Sequence, residues 1–303
     1  MQAERAWLID ASIYIFRAWF SLPDRWHTAD GMPLQAVYGY AGFLADFLAQ
    51  AGTPECCAAA FDESLHSNYR NDIYPDYKSS RILPDEALAF QLAACRKLTE
   101  LLGIPCYGGS RYEADDYLAS LARLCREQGR PVTVVTRDKD LGQLIVGEKD
   151  NWWDFAQGEL LDAAAFTARF GVRPEQFADY QALVGDKIDD IPGVPGVGAK
   201  TAAKLLQSFE DLDALAKGLG RIAELELRGA AGIAMRLQTH WAQVLLARQL
   251  TGLEERVPEV SAVPRFVRSA KNLEAAAAYL EELGIGAGPA RRYRQLSTGS
   301  EGP

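Results

Sequence analysis

Three short apolar runs that each end at an aspartate constrain this chain more than any other feature. Residues 6–9 (AWLI) end at Asp10, residues 57–61 (CAAAF) at Asp62, and residues 132–136 (VTVVT) stop just short of Asp138. Unbroken apolar runs of this length suit strands buried on both faces. Weaker runs of the same kind occupy 104–107 and 151–155. Between them apolar residues recur at helical spacing: Val37, Tyr40, Leu44 and Leu48 in 34–50; Leu88, Leu92, Cys95, Leu98 and Leu102 in 85–103; Leu118, Leu121 and Cys125 in 113–129. Strands alternating with helices predict an α/β fold, a mostly parallel central sheet flanked by helices. Such sheets bind ligands beyond the carboxyl ends of their strands, and the three aspartates fall there.

From about residue 176 the strand signal stops. Helical stretches follow at 200–208, 212–217, 230–250 and 273–283, the last ending before Gly284 as a C-cap. The division expected is therefore 1–175 for the α/β part and 176–294 for a helical part, with the polar stretch 295–303 disordered. The residues after Met1 reach Glu4, Arg5 and Asp10 before any long apolar run, so neither a signal peptide nor a membrane span is read there and a cytoplasmic protein is expected. Five cysteines form no C-x-x-C pair and read as reduced core residues, and the three histidines share no metal-ligand spacing with them. Any metal would be held by oxygen.

The net charge of −9 opposes a nucleic-acid partner. That objection weakens if the acids gather at one site and cations neutralise them. Five acidic spots stand out: Asp10; Asp62; Glu113, Asp115 and Asp116 in YEADD; Asp138 and Asp140 in TRDKDL; Asp186, Asp189 and Asp190 in GDKIDDIPG. At a strand end Asp138 and Asp140 point to one side. On a helical turn Glu113 and Asp116 face the same way, as do Asp186 and Asp189. Singly, each has an ordinary reading as a helix cap, a loop end or a salt bridge to Arg137 or Lys139. Together, at three strand ends and two helix or turn starts, they fit a pair of magnesium or manganese ions acting on a phosphodiester.

Residues 191–201 (IPGVPGVGAKT) invite comparison with a phosphate-binding P-loop, but Ala199 intrudes before Lys200 and no strand precedes the segment. A hairpin between two short helices, spanning 186–208, fits better: Gly193, Gly196 and Gly198 permit the turn, and the following helix offers amides to a DNA phosphate beside Lys200, Thr201 and Lys204. A purely structural turn remains the alternative. In 69–81 (YRNDIYPDYKSSR) tyrosines, Tyr77 among them, interleave with Arg70, Lys78 and Arg81. Such a segment stacks on unpaired bases or packs its tyrosines on the core. Arg17 is read at a helix start, in reach of a phosphate or of a surface acid.

Taken in order, LIDASIYIFRAWF, residues 31–40, AFDES, YKSSR, YEADDYLASLA, TRDKDLGQL and ALVGDKIDDIPGVPGVGAKTAAKLL resemble the bacterial and phage 5′-nucleases related to flap endonucleases. The resemblance covers residues 7 to about 250. It implies a PIN-like α/β core with a helical arch at about 64–92, joined to a helix-three-turn-helix element that grips duplex DNA. It places Asp10, Asp62, Glu113, Asp115, Asp116, Asp138, Asp140, Asp186 and Asp189 on the metal-binding carboxylates, Arg17, Lys78 and Arg81 on phosphate-contacting catalytic residues, and Arg70 on a DNA contact. Potassium in the 191–198 hairpin is implied as well. Asp190 stands where relatives often carry Asn. A chain of 303 residues leaves no room for polymerase or proofreading domains, so a free-standing member is expected. The implied activity is a metal-dependent 5′-3′ exonuclease or flap endonuclease on DNA flaps, overhangs and junctions, acting as a monomer beside replication and repair proteins. The competing readings are a junction binder without activity, disfavoured by the complete carboxylate set, a nucleotide hydrolase, disfavoured by Ala199, and an RNA-cutting nuclease, disfavoured by the hairpin.

Overall fold

In the computed structural model, which describes residues 4–52, 54–64 and 67–298, the apolar runs assemble into one six-stranded sheet. The strands are β1 (Ala6–Asp10), β2 (Cys56–Ala60), β3 (Cys106–Tyr107), β4 (Val132–Val135), β5 (Asn151–Asp154) and β6 (Glu159–Leu161). Their order is β3-β2-β1-β4-β5-β6, all parallel except β6, which pairs antiparallel with β5. The run at 104–107 contributes only two residues; Pro105 offers a carbonyl to Ala59 but has no amide to give. β6 was not foreseen.

Alternation along each strand sends side chains to two cores. Leu8, Ala58, Val134 and Trp152 face one; Ile9, Cys57, Ala59, Val135 and Trp153 face the other. The first core is closed by α5 (Ala114–Glu127) and by the helices α7 (Phe177–Val184) and α8 (Ala199–Phe209). The second is closed by α1 (Ala11–Ser21), α2 (Gln35–Ala51) and α4 (Glu86–Leu101). The segment expected as a helical arch, about 64–92, holds one short helix, α3 (Tyr69–Ile73), a turn at 75–80, an irregular stretch at 81–85 and the first turns of α4; residues 65 and 66 lie outside the described ones.

After α6 (Ala163–Phe170) the chain is helical, with α9 (Leu212–Lys217), α10 (Ala230–Thr239), α11 (Trp241–Thr251), α12 (Ala270–Glu282) and α13 (Ala287–Thr298). The stretch 230–250 is two helices because the backbone leaves helical geometry at His240 (φ −104°, ψ 15°). Nor do all helices after residue 176 stay with the helical part. α12 and α13 return to the sheet and pack on α4 and α2, where Leu273, Ala276, Leu280 and Tyr293 are buried and the Tyr293 hydroxyl donates to the Ala41 carbonyl (2.7 Å). The expected disorder at 295–303 is corrected in part: Gln295 and Leu296 belong to α13, and the Leu296 carbonyl accepts from Arg268 (2.7 Å). Residues 299–303 lie outside the described residues. No helix among the described residues is long and apolar enough to cross a membrane.

Candidate active site

The strand order reverses between β1 and β4, and the crevice beyond their carboxyl ends is a cleft of about 460 Å³. Nine carboxylates line it: Asp10, Asp62, Glu113, Asp115, Asp138, Asp140, Asp186 and Asp189, all expected, and Asp154 at the end of β5, which the sequence did not single out and which pairs with Arg137 (3.0 Å). Asp10 ends β1 and caps α1, and Asp62 follows β2. Asp138 caps the 3-10 turn Lys139–Leu144 by accepting the Asp140 amide (2.9 Å). Asp186 and Asp189 do not sit on a helix as their spacing of three suggested. They belong to a turn closed by reciprocal backbone bonds between Asp186 and Ile191 (2.9 and 2.8 Å).

Small hydroxyls hold these acids in place. Thr136 Oγ1 donates to Asp10 Oδ2 (2.8 Å) and accepts the Asp138 amide (2.9 Å), so one side chain sets two carboxylates from different strands. Ser12 Oγ accepts the Asp62 amide (2.8 Å). Neither residue was singled out by the sequence, although both lie within two positions of an aspartate that was.

Crowding shows in the protonation of the cleft. Burial, followed by repulsion from Asp138 and Asp62, pushes the Asp10 carboxyl up to about 7 even though Thr136 favours its ionised form. Burial and Asp138 push Asp140 up to about 7. Asp115 is raised by burial and then by Asp138, Asp10 and Glu113, and Asp189 is raised mainly by burial. Glu113 behaves oppositely: burial alone would raise it, but Lys78 and Arg70 beside it hold it below the usual range. Lys78 Nζ lies 2.6 Å from Glu113 Oε1 and 3.8 Å from Asp189, and these acids outweigh its burial and lift its ammonium to about 12. Arg81 donates to Asp189 (2.6 Å), and Lys139 reaches Asp140 (3.1 Å) and Asp186 (3.6 Å).

The donor set is all oxygen, which suits a hard divalent cation. Among the described residues no three of these groups stand close enough to hold an ion as placed. The cations Lys78, Arg81 and Lys139 occupy oxygens that an ion would take. The residues therefore fit such ions in chemistry, and binding would require these side chains to shift.

Four expected site residues lie elsewhere. Asp116 is fully buried; its carboxylate receives both arms of Arg70 (2.7 and 2.8 Å) and the amides of Glu113 and Glu254 (3.1 and 2.9 Å), leaving none of it for the cleft. Arg70 is buried too, and it also donates to the carbonyls of Leu250 (2.9 Å) and Gly252 (2.8 Å), so it ties α3 to the end of α11 and is not on the surface. Tyr77 is buried with its hydroxyl donating to Glu113 (3.0 Å), which removes it as a stacking platform. Arg17 lies in the middle of α1, exposed, and does not line the cleft; the helix begins at Ala11 because Asp10 caps it.

A second cleft of about 330 Å³ opens beside the first and shares Phe16, Asp62, Lys78, Arg81 and Glu113 with it. Apart from Asp85 its other walls are apolar, with Trp19, Phe20, Ile82 and Leu83 prominent. Phe20 and Ile82 are 79% and 96% exposed, an unusual cost for large apolar side chains unless something covers them. Farther off, the hairpin joins α7 to α8. A β-carbon on Gly193 would meet the Val184 carbonyl oxygen at 1.9 Å, so backbone meets backbone there. Gly196 has φ +74°, whereas Gly198 is extended and caps α8. Lys200 and Lys204 are exposed on α8 and Thr201 is half-buried.

Two family models together match most of the chain. One, described as "5′-3′ exonuclease, N-terminal resolvase-like domain", matches residues 5–171; the other, "5′-3′ exonuclease, C-terminal SAM fold", matches residues 172–273. Thermostable DNA polymerase I of Thermus aquaticus is 38% identical over 218 residues, which are 72% of this chain but 26% of the polymerase. This chain thus spans about a quarter of the length of its polymerase relatives. A "5′-3′ exonuclease" of Buchnera aphidicola subsp. Schizaphis graminum is 31% identical over 251 residues, 83% of this chain and 86% of that one. Among solved structures, T5 5′-exonuclease bound to divalent metal ions (zinc) superposes with a TM-score of 0.66 at 17% identity, covering 98% of this chain and 99% of that one. The catalytic core of Rad2 in complex with DNA substrate does so with a TM-score of 0.64 at 14% identity, covering 97% and 92%. At these identities the two structures share the fold.

Proposed function

The chain belongs to the 5′-3′ exonuclease family, and from that membership and its cleft we propose that it hydrolyses DNA phosphodiesters at single-strand/double-strand junctions, as a metal-dependent 5′-3′ exonuclease and flap endonuclease. The observation that carries this reading is the gathering of nine carboxylates from four strand ends, the start of α5 and the 186–189 turn around one cleft with Lys78 and Arg81 on its wall.

Asp10, Asp62, Glu113, Asp115, Asp138 and Asp140 would hold one magnesium or manganese ion, and Asp186 and Asp189 would help hold a second. Two such ions, when bound, stabilise the attacking and the leaving oxygen of an in-line displacement. The chain's own residues do the rest. Thr136 keeps Asp10 and Asp138 oriented, the kind of outer support that metal ligands need. Lys78 and Arg81 meet a phosphate seated among the carboxylates and offset the charge that develops on it. The apolar cleft beside them takes the unpaired bases, a role the sequence suggested for Tyr77 and which the exposed Phe20 and Ile82 fit better. The α7–α8 hairpin, with Lys200, Thr201 and Lys204, grips the duplex, and its backbone carbonyls are suited to a potassium ion.

A 5′-labelled flap duplex tests the reading. Cleavage is expected with magnesium, none with chelator, and a loss of at least about 100-fold in Asp115→Ala. Metal-independent cleavage, or none by the unmodified protein, overturns it.

A further inference from the structure

Three non-glycine residues among those described have positive φ, and two of them meet across one contact: Lys78 (φ 53°) and Asp190 (φ 56°). L-residues persist in this region only where their surroundings hold them, and such residues gather at functional sites. The contact between them is dense. The Lys78 amide donates to the Asp189 carbonyl (3.0 Å), the Ser80 amide to Asp190 Oδ2 (2.8 Å), and Arg81 to Asp189 Oδ1 (2.6 Å). Other backbone bonds of this turn, from Tyr77 to Tyr74, Ser79 to Asp76 and Arg81 to Lys78, stay inside it. The turn belongs to no sheet; Asn71 Nδ2 donates to the Tyr77 carbonyl (2.8 Å) and the buried Tyr77 hydroxyl to Glu113 (3.0 Å), which hold its start, while Ser80 and Arg81 at its end bond to the 186–191 loop.

Asp190 does not line the carboxylate cleft, although its neighbour Asp189 does. Its side chain faces outward from the metal-ligand candidates and toward the basic turn. We propose that Asp190 is a positioning residue: by accepting the Ser80 amide it latches the Lys78–Arg81 turn to the 186–191 loop, and so sets Lys78 and Arg81 over the cleft. The carboxylate that stands where relatives often carry Asn serves as an acceptor. Asparagine would serve too, because its amide oxygen accepts the same bond and it tolerates the same backbone.

This rests on the nuclease reading, and the test separates the two. In flap cleavage at saturating DNA and magnesium, Asp190→Ala lowers kcat about 10- to 100-fold, the cost of a misplaced group, with KM little moved. Asp190→Asn stays within about threefold of the unmodified protein, since the acceptor is retained. Asp190→Ala added to a Lys78→Ala/Arg81→Ala variant makes it no slower, because both cations the latch positions are already gone. A second arm needs no cleavage: amide hydrogen exchange across residues 78–82, without DNA or metal, is faster in Asp190→Ala and unchanged in Asp190→Asn. The proposal is overturned if Asp190→Ala cuts like the unmodified protein, if Asn is as poor as Ala, if the loss multiplies with that of Lys78→Ala/Arg81→Ala, or if exchange does not change. Faster exchange in Asp190→Ala, in a protein that cuts no DNA, leaves the latch standing and sinks the nuclease reading.

Discussion

At the scale of single residues, the acids of the cleft exist at the expense of the fold. Asp10 and Asp140 have carboxyls raised to about 7, first by burial and then by their neighbours; Asp115 and Asp189 shift the same way, and Glu113 the opposite way. Between the ordinary carboxylate range near 4 and pH 7, the folded chain therefore binds more protons at Asp10 and Asp140 than the unfolded chain does. These two groups subtract stability as pH rises through that window. With chelator present, the thermal midpoint should fall between pH 5 and pH 7.5, at about 2–4 °C for each kcal/mol lost. Saturating magnesium should remove most of that fall, because a cation replaces the protons. A midpoint that rises with pH in chelator contradicts the assignment. The strand-end aspartates were legible because an apolar run announces where a strand stops. Asp116 was not, since the spacing that aligns it with Glu113 is equally served by turning inward, and nothing local to YEADD says that Arg70 waits there. Arg70 and Tyr77 misled for a related reason: a basic-aromatic segment looks alike whether it lies on solvent or beneath residues 250–252.

At the scale of elements, helices with an apolar stripe of their own were readable, and those that borrow a partner's surface were not. α13 buries little beyond Ala290 and Tyr293 and is rich in arginine, so its sequence resembles a solvated tail. The break at His240 carries neither glycine nor proline. The glycine-rich hairpin was legible as a turn, but which glycine matters depends on what lies across from it. Gly193→Ala drives a β-carbon into the Val184 carbonyl and should cost roughly 1–3 kcal/mol. It should also weaken flap-duplex binding. Gly198→Ala meets nothing within 4 Å and should leave both within about 0.5 kcal/mol of the unmodified protein. Thermal unfolding and binding in calcium would read the pair, and equal effects would show that the hairpin is not the crowded element described.

At the scale of the molecule, the last helices bind the ends of the chain together. Leu280 on α12 is fully buried against the second core. Leu280→Ala should therefore cost about 2–5 kcal/mol and move the unfolding of the α/β core itself. If α12 and α13 were an appendage, the main transition would stay put and only a minor early step would appear in calorimetry. No window of sequence contains both α12 and α2, which is why that closure could not be read in advance. The two outermost strands carry a further consequence. β3 has two residues at one margin of the sheet and β6 three at the other, so an open sheet of six strands exposes almost no continuous row of unpaired amides and carbonyls. Long bare margins are where one chain recruits another into aggregates, and strands this short deny that template. The parallel core can stay rich in alanine, valine and cysteine without inviting edge-to-edge association between copies.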